Sequence, residues 1–424
     1  MTDPFSALSL GPISLRNRFI RAGANEMMSV GTLPTKSLLE FHRRLAAGGV
    51  GMTTLAYLAI SRDGRTFADQ GVISEESLPH YRAITDAVHS NGALASAQIT
   101  HGGSFAQHRE LSTPRAMSSS RGIDKVGLMA GRLLQRAMTR ADMDQVRQEF
   151  VTAAVRAQAA GFDAVELHMG HGYLLNQFIS PLSNKRRDAY GGSAEGRVRF
   201  PAEVLAAVKA AVGERLAVLA KINLYDGVKG GATVEDAVVT ARSSARAGAD
   251  MLVLSGGRNI ESSWAIFHSP LPYEDLTALQ PSLLTKLQFG FMKMNTPKSL
   301  HFSELYFLGA ARKVRAAVGC GLAYVGGVLS LEAAQRVLNE GFQAVQIARA
   351  LVHDPDLVNR FRKNLAHHSA CDACNRCVAM MYTPPGTYCA VTKNAIDARL
   401  NIIPAGAQEG RPSWSEDIAT AGSA

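Results

Sequence analysis

The sequence predicts an α/β fold, a (β/α)8 TIM barrel with a long loop insertion after strand 6 and a C-terminal cysteine-containing extension. Eight apolar runs rich in β-forming residues alternate with helical patterns, and their continuous hydrophobicity suits strands that are buried on both faces. The length of 424 residues lies within the range of one such barrel with insertions. An open Rossmann sheet is disfavoured because no Gly-x-Gly-x-x-Gly joins a strand to a helix.

The predicted elements alternate along the chain. Strands are predicted at 18–23, 50–57, 93–99, 164–169, 217–223, 251–257, 322–327 and 344–350. Helices are predicted at 36–47, 78–90, 141–160, 198–211, 234–247, 304–318 and 331–339. Residues that favour helix N-termini are Thr139, Thr233 and Ser330, and glycines that favour helix ends are Gly48, Gly161 and Gly341.

The chain divides into three predicted parts. Residues 1–365 form the barrel, 366–403 form the cysteine-containing extension, and 404–424, rich in Gly, Ala, Ser and Glu, form a flexible tail. The stretch 269–303 interrupts the repeat and is expected on the catalytic face of the barrel. Its spacing of Leu, Phe, Met and Lys is compatible with an amphipathic helix that forms a lid or homo-oligomer interface, roofs an apolar substrate pocket, or contacts a membrane.

Composition indicates a globular protein, with 46% hydrophobic and 19% charged residues. The N-terminus has no signal-peptide pattern and no run of eighteen apolar residues occurs, so a soluble cytoplasmic protein is expected. The formal net charge of +9 favours anionic partners. Phosphorylated cofactors and acidic substrates account for it, and no nucleic-acid recognition module is visible.

The end of the fourth predicted strand carries the strongest motif, ELHMGHGYLLNQFISPLSNKRRDAYGGS. It contains His168, His171 and Tyr173, followed by Ser-Pro-Leu-Ser-Asn at 180–184 and Tyr-Gly-Gly-Ser at 190–193. In a barrel, side chains at this end of a strand meet the ligand. This pattern resembles the old yellow enzyme family of NADH:flavin oxidoreductases.

The resemblance implies FMN as cofactor and NAD(P)H as co-substrate. It assigns His168 and His171 to the substrate oxygen, because two imidazoles can stabilise a developing enolate. It assigns Tyr173 to proton delivery through its phenol.

Other strand ends match the FMN contacts of the family. The matching residues are Ala22, Gly23, Ala24 and Asn25 on the first strand, Gln98 on the third and Lys221 on the fifth. The amide of Gln98 would pair with the flavin pyrimidine, and Lys221 would stabilise negative charge near flavin N1 and O2. The Lys-Ile-Asn at 221–223 resembles the 2,4-dienoyl-CoA reductase and trimethylamine dehydrogenase branch.

The seventh and eighth strand ends match the FMN phosphate site of the family. Gly326 and Gly327 would allow backbone N–H groups to approach the phosphate. Ala348 and Arg349 complete the match, and the guanidinium of Arg349 would add a forked contact.

Four cysteines follow the barrel: Cys371, Cys374, Cys377 and Cys389, spaced Cys-x2-Cys-x2-Cys-x11-Cys. Thiolates at such spacing suit a [4Fe-4S] cluster or zinc, and unligated thiols are a third interpretation. The branch named above has a similar group, with close but not identical spacing. The fifth, Cys320, is expected to pack in the barrel.

The sequence thus predicts an enzyme that takes a hydride from NAD(P)H and reduces an electron-poor small molecule, such as an α,β-unsaturated carbonyl compound or an enoyl thioester. The alternatives are a flavin-dependent dehydrogenase or demethylase of a small amine, and a non-catalytic barrel that acts as a binding protein.

Overall fold

The computed structural model describes residues 2–279, 283–294 and 296–406. Its strands are β1 (Leu8–Leu10), β2 (Ile13–Leu15), β3 (Phe19–Arg21), β4 (Ser29–Val30), β5 (Leu33–Pro34), β6 (Met52–Ala59), β7 (Leu94–Thr100), β8 (Met117–Ser118), β9 (Gly122–Ile123), β10 (Leu134–Ala137), β11 (Ala164–Met169), β12 (Ala217–Asn223), β13 (Met251–Ser255), β14 (Gly321–Val325) and β15 (Ala344–Ile347).

The helices are α1 (Lys36–Ala47), α2 (Leu78–His89), α3 (Arg140–Ala159), α4 (Leu174–Ile179), α5 (Ala194–Val212), α6 (Val234–Arg246), α7 (Ser263–Phe267), α8 (Tyr273–Ala278), α9 (Leu283–Met294), α10 (Leu308–Arg315), α11 (Leu331–Asn339), α12 (Arg349–His353), α13 (Leu357–Arg362) and α14 (Arg376–Met380). Two short 3-10 turns lie at Gly127–Ala130 and Ala398–Ile402.

Eight of the strands close into a parallel barrel, which confirms the predicted fold. Around the barrel the order is β3, β6, β7, β11, β12, β13, β14 and β15, and β15 pairs with β3 to close the ring. Every residue of β11, β12 and β13 is buried. This explains why the strands read as continuous apolar runs rather than as alternating ones.

The amino end of the barrel is sealed by the hairpin of β1 and β2. Its Leu8, Leu10 and Leu15 pack in one buried cluster with barrel residues that include Met52 and Met251. A ligand therefore has access only from the carboxyl ends of the strands, where barrel active sites form.

The predicted helix caps occur as expected. Thr139 and Thr233 each form a capping box with the aspartate three residues later, and the Ser330 hydroxyl accepts a hydrogen bond from the backbone N–H of Ala333. Several predicted boundaries differ from the structure. Helix α5 begins at Ala194 rather than at 198, because Ser193 caps it through the N–H of Gly196. Helix α10 is shorter than the predicted 304–318.

The insertion after the sixth barrel strand, β13, contains α8 and α9. It packs against the extension in a cluster of Leu271, Tyr273, Leu276, Met292 and Ala379. The predicted helix is present, and Leu283, Leu287 and Met294 on it are 71%, 63% and 78% exposed. The side chains of Leu284 and Phe291, also placed on this helix by the sequence, lie outside the described residues. Its role as a lid or interface stays a prediction.

The extension returns across the first βα unit. The backbone N–H of Lys36 donates to the carbonyl of Ile403 at 2.7 Å, and that of Thr387 donates to the carbonyl of Glu26 at 2.9 Å. The predicted tail lies mostly outside the described residues, since only 404–406 of it are described. None of the described helices combines the length and apolar character needed to cross a membrane.

Candidate active site

His168, His171 and Tyr173 meet at the carboxyl end of β11. The imidazole of His168 lies 4.9 Å from that of His171 and 4.5 Å from the phenol ring of Tyr173, measured between ring centroids. His171 adopts a positive φ of 58°, which turns the chain immediately after the strand. The structure thus brings the three predicted catalytic side chains into one cluster.

Neighbouring strands hold His171 in place. The side-chain oxygen of Asn223, at the end of β12, accepts the backbone N–H of His171 at 3.1 Å. The hydroxyl of Ser255, at the end of β13, lies 2.8 Å from His171 Nε2. Neither Asn223 nor Ser255 was predicted as a site residue, although both end barrel strands.

Both imidazoles are neutral near pH 7. Burial lowers the pKa of His168 well below its ordinary value and lowers that of His171 to about 3, with Lys221 adding to both effects. His168 Nδ1 accepts the backbone N–H of Gly170 at 3.3 Å, so its Nε2 carries the proton. His168 can therefore donate a hydrogen bond to a ligand oxygen.

Tyr173 lies against a second, partly buried tyrosine, Tyr57, at a ring-centroid distance of 5.0 Å. Burial first, and then the neighbouring Tyr57, raise the pKa of Tyr173 well above its ordinary value. The phenol therefore stays protonated and can act as a proton donor. Tyr57, whose hydroxyl lies 3.0 Å from that of Thr66, was missed because its strand reads as an apolar run.

A buried charge network lies below these rings. Lys221 Nζ contacts Glu166 Oε1 at 3.0 Å and donates to the carbonyl of Gly23 at 3.1 Å. The Gln98 amide donates to the same carboxylate at 2.6 Å, and the Gln346 amide does so at 3.0 Å. The network is almost fully buried. A buried cation requires a paired partner, and for Lys221 that partner is Glu166.

Glu166 is the residue of this network that sequence reasoning missed. It stands two positions before His168 on β11, so both side chains lie on the inner face of the barrel. A glutamate inside an otherwise apolar strand was the available signal.

The first strand end supplies a close backbone approach. A Cβ atom on Gly23 would lie 2.6 Å from Gln98 Nε2, so only glycine fits there. Ala22 is buried, Ala24 is exposed, and the Asn25 carbonyl accepts the Thr387 hydroxyl of the extension at 3.1 Å. Of these four predicted residues, Asn25 thus contacts the extension.

The seventh and eighth strand ends lie side by side, because β14 pairs with β15. Gly326 and Gly327 adopt positive φ values of 138° and 69°. Within the described residues, the backbone N–H groups of Gly326, Gly327, Ala348 and Arg349 donate to no acceptor. Four adjacent free N–H groups are the donors that a phosphate group requires.

The guanidinium of Arg349 contacts protein groups in this structure, whereas the sequence predicts that it contacts the phosphate. Its Nη1 donates to Asn375 Oδ1 at 2.6 Å and to Ser269 Oγ at 3.1 Å, and its Nη2 donates to the Phe267 carbonyl at 2.9 Å. The side chain thus joins the insertion to the extension. A forked contact to phosphate stays a prediction.

The four cysteines lie near one another but form no recognised metal centre. In the part of the chain that the structure describes, no three His, Cys, Asp or Glu side chains are arranged to hold a metal ion. Cys389 Sγ lies 3.5 Å from His353 Nδ1. Burial chiefly raises the pKa of Cys377 to about 12, with Arg349 opposing the increase and the thiols of Cys371, Cys374 and Cys389 contributing to it.

The hydrogen-bonding groups at the barrel mouth fit FMN. Gln98 and Lys221 offer an amide and a cation at the strand ends, and Gln346 Oε1 is buried without a hydrogen-bond partner among the described residues. The free backbone N–H groups beside Gly327 suit the phosphate. These residues would therefore hold the isoalloxazine ring and the phosphate of the cofactor.

Comparison with known proteins gives one family. The family model described as "NADH:flavin oxidoreductase / NADH oxidase family" matches residues 3–262. A 4,4'-dithiodibutanoate disulfide reductase of Rhodococcus erythropolis is 38% identical over 392 residues, which are 91% of this chain and 94% of that protein. An NADH oxidase of Thermoanaerobacter brockii is 28% identical over 382 residues, 88% of this chain but only 52% of that protein.

Two solved structures show the same fold. A 2-naphthoyl-CoA reductase in complex with 2-naphthoyl-CoA has a TM-score of 0.76 at 19% identity, over 94% of this chain and 57% of the other. A morphinone reductase in complex with tetrahydroNAD has a TM-score of 0.66 at 24% identity, over 88% of this chain and 94% of the other. The chain therefore spans almost the whole length of some relatives and about half of others.

Proposed function

This chain belongs to the NADH:flavin oxidoreductase / NADH oxidase family, and from that premise we propose which acceptor it reduces and which side chains serve the reaction. It is an enzyme, an FMN-dependent oxidoreductase that uses NAD(P)H to reduce an acceptor. The proposal is that the acceptor carries a group that becomes an oxygen or sulfur anion on reduction. The single observation that supports it is the cluster of His168, His171 and Tyr173 at the carboxyl end of β11.

When bound, FMN supplies the redox chemistry, because it accepts a hydride from NAD(P)H and returns it to the second substrate. His168 and His171 hold the developing anion of the acceptor through imidazole N–H groups. Neutral imidazoles suit this role, because each has one N–H group that can donate a hydrogen bond to the anion. Tyr173 delivers the proton that completes reduction, and Ser255 and Asn223 keep His171 in place.

Two acceptor classes fit this arrangement. The first is an α,β-unsaturated carbonyl compound or enoyl thioester, in which the enolate oxygen lies at the histidines. The second is an organic disulfide, favoured by the 38% identity to a 4,4'-dithiodibutanoate disulfide reductase over nearly the full length of both chains. Its overall reaction is NAD(P)H + H⁺ + RSSR → NAD(P)⁺ + 2 RSH, with one thiolate at the histidines and one proton from Tyr173.

Anaerobic assays with purified holoenzyme test this proposal. We expect 2-cyclohexenone, 4,4'-dithiodibutanoate, or both to reoxidise the NAD(P)H-reduced enzyme, and a double His168→Ala, His171→Ala variant to do so more slowly. An equally fast double variant would remove the histidines from the site. Oxidation of a small amine in the opposite direction, with no reduction of either acceptor, would favour the amine dehydrogenase alternative instead.

We also propose that the four cysteines ligate an iron–sulfur cluster that has no part in the hydride step. What supports this is their spacing in the sequence, since the described side chains are not themselves arranged as a metal site. Iron and acid-labile sulfide should be present in protein prepared anaerobically and be lost in Cys377→Ser. Cys320→Ser is the matched control, because Cys320 lies outside the group. Zinc, or neither metal, in the anaerobic protein would contradict the proposal.

A further inference from the structure

We infer that Arg258 and two neighbouring amides form a subsite for an anionic group of the substrate, of which a carboxylate is the simplest. This inference rests on the proposed function and narrows it to acidic acceptors. None of these residues was among those predicted from the sequence.

Arg258 lies at the mouth of the barrel, beside the catalytic cluster. It follows β13 by three residues, and its backbone pairs with His171 in an isolated bridge. The next residue, Asn259, donates its backbone N–H to the His171 carbonyl at 3.1 Å. The Arg258 guanidinium lies against Gly172, at 3.8 Å from the point where a Cβ of that residue would be. It is therefore adjacent to the segment that carries both His171 and Tyr173.

The guanidinium is buried but not fully paired. Arg258 is 6% exposed. Its Nη1 donates to Asn176 Oδ1 at 3.2 Å and its Nε donates to Glu261 Oε2 at 3.1 Å. Its Nη2 makes no hydrogen bond to any residue that the structure describes. One edge of a buried cation is thus left for a ligand.

The neighbouring unpaired groups are donors as well. Among the described residues, the side-chain nitrogen of Asn176 is buried without a hydrogen-bond partner. That of Asn259 is buried and makes no hydrogen bond of normal geometry, but it lies close enough to the Tyr173 phenol to lower the pKa of that group. Asn176 is itself completely buried, and its oxygen already accepts from Arg258 and from the N–H of Gly172. A buried donor without a partner is destabilising. An occupant that brings only acceptors, such as a carboxylate, would suit donors of this kind.

The local charge also favours an anion. Glu261 is shared between Arg258 at 3.1 Å and Lys125 at 3.6 Å, so two cations surround one carboxylate. Burial opposes ionisation of Glu261, but Arg258 and then Lys125 hold its pKa below its ordinary value. The group therefore keeps one excess positive charge at the mouth of the barrel.

The test is an equilibrium binding measurement on the oxidised holoenzyme, which does not turn over. The probes are 4,4'-dithiodibutanoate and its uncharged diamide, measured by calorimetry. We expect the acid to bind wild type more tightly than the diamide by about tenfold or more, the size of one lost charge-assisted contact. We expect this preference to disappear in Arg258→Gln and to be partly retained in Arg258→Lys.

Arg312→Gln is the matched control, because Arg312 pairs with Glu340 on the outer surface and should leave the preference unchanged. Equal binding of acid and diamide to wild type would overturn the inference, and this comparison does not depend on how a variant folds. A preference that persists in Arg258→Gln with its normal FMN content would also overturn it. Failure of the proposed function is distinguishable, since it would be seen as absent turnover with NAD(P)H whatever the binding preference.

Discussion

Tyr173 shows how burial prepares a residue for proton delivery. Its phenol is enclosed by His168, Phe105 and Tyr57, and its pKa is raised above its ordinary value, mainly by that burial. A group that remains protonated at every working pH can give its proton only to a stronger base. The anion that forms on a reduced acceptor is such a base.

Replacing Tyr173 with Phe should slow the step in which the acceptor is reduced. General acids contribute about 10² to 10⁴ in rate, so a loss of that size is expected in stopped-flow reoxidation. Reduction of the flavin by NAD(P)H should stay near the wild-type rate, because it needs no proton from this residue. Unchanged reoxidation would remove Tyr173 from the acid role.

The buried histidines make stability depend on pH. His171 has a pKa of about 3 in the folded chain, below the value of about 6.5 in unfolded chains. Between these values the unfolded state binds the extra proton, so stability is full above about pH 6.5 and falls as the pH decreases toward 3. The slope is about 1.4 kcal/mol per pH unit for each such group.

Changing His171 to Asn should therefore make the acid-side loss of stability less steep by about one proton. Asparagine tolerates the positive φ of 58° at this position. Urea unfolding between pH 4 and 7 measures the slope, with exposed His367→Asn as the control. A slope in the His171 variant that equals that of wild type would contradict the assigned burial effect.

Single site residues could be predicted where they belong to a sequence motif. They could not be predicted where only tertiary packing brings them to the site. His168, His171, Gln98 and Lys221 follow from strand-end motifs, and the structure brings them to one end of the barrel. Arg258 could not be found in this way, because its position beside His171 depends on how two loops meet. Glu166 could have been recognised as a charged residue within an apolar strand. The prediction treated the segment only as a buried strand.

At the level of elements, the insertion and the extension act as one unit beside the barrel mouth. They share an apolar cluster and are joined through Arg349, whose guanidinium also stacks over the rings of Phe267 and Phe302. The sequence analysis treated these segments as separate because about sixty residues lie between them. Their contact is a tertiary feature that no local periodicity encodes.

Replacing Arg349 with Ala should loosen this unit. Losing the guanidinium leaves the buried Asn375 Oδ1 without this donor, at about 1–3 kcal/mol. The Ser269 hydroxyl and the Phe267 carbonyl also lose a bond to Arg349 but keep other donors. Limited proteolysis should then cut within the extension faster than in wild type. Arg360→Ala is the control, since Arg360 forms an exposed pair with Asp354. Unchanged cleavage would show that the guanidinium does not hold the two segments together.

The helix boundaries show a different limit of sequence reasoning. Helices α1 and α11 were predicted to the residue because each has a clear apolar stripe, and in α11 the Ser330 side chain also caps the first turn. Helix α5 was started too late because Gly196 in its first turn and Pro201 obscure the helical pattern. The cap formed by Ser193 nevertheless allows the helix to begin at Ala194.

On the scale of the whole molecule, the closed barrel decides where chemistry can occur. The hairpin of β1 and β2 packs against the amino end of the barrel. Because all eight strands are parallel, their carboxyl ends meet at the opposite end, where the functional side chains lie. The eightfold repeat was readable from the sequence because buried parallel strands leave continuous apolar runs. The short strands β8, β9 and β10 in the loop after β7 were not, because they have two to four residues each.

The most direct test of the account is anaerobic spectroscopy of the purified protein. We predict one FMN per chain, loss of its visible absorption on addition of one equivalent of NAD(P)H, and its recovery on addition of one equivalent of enone or disulfide. A protein that neither contains FMN nor takes it up when FMN is added, or a bound flavin that NAD(P)H does not reduce, would contradict the account.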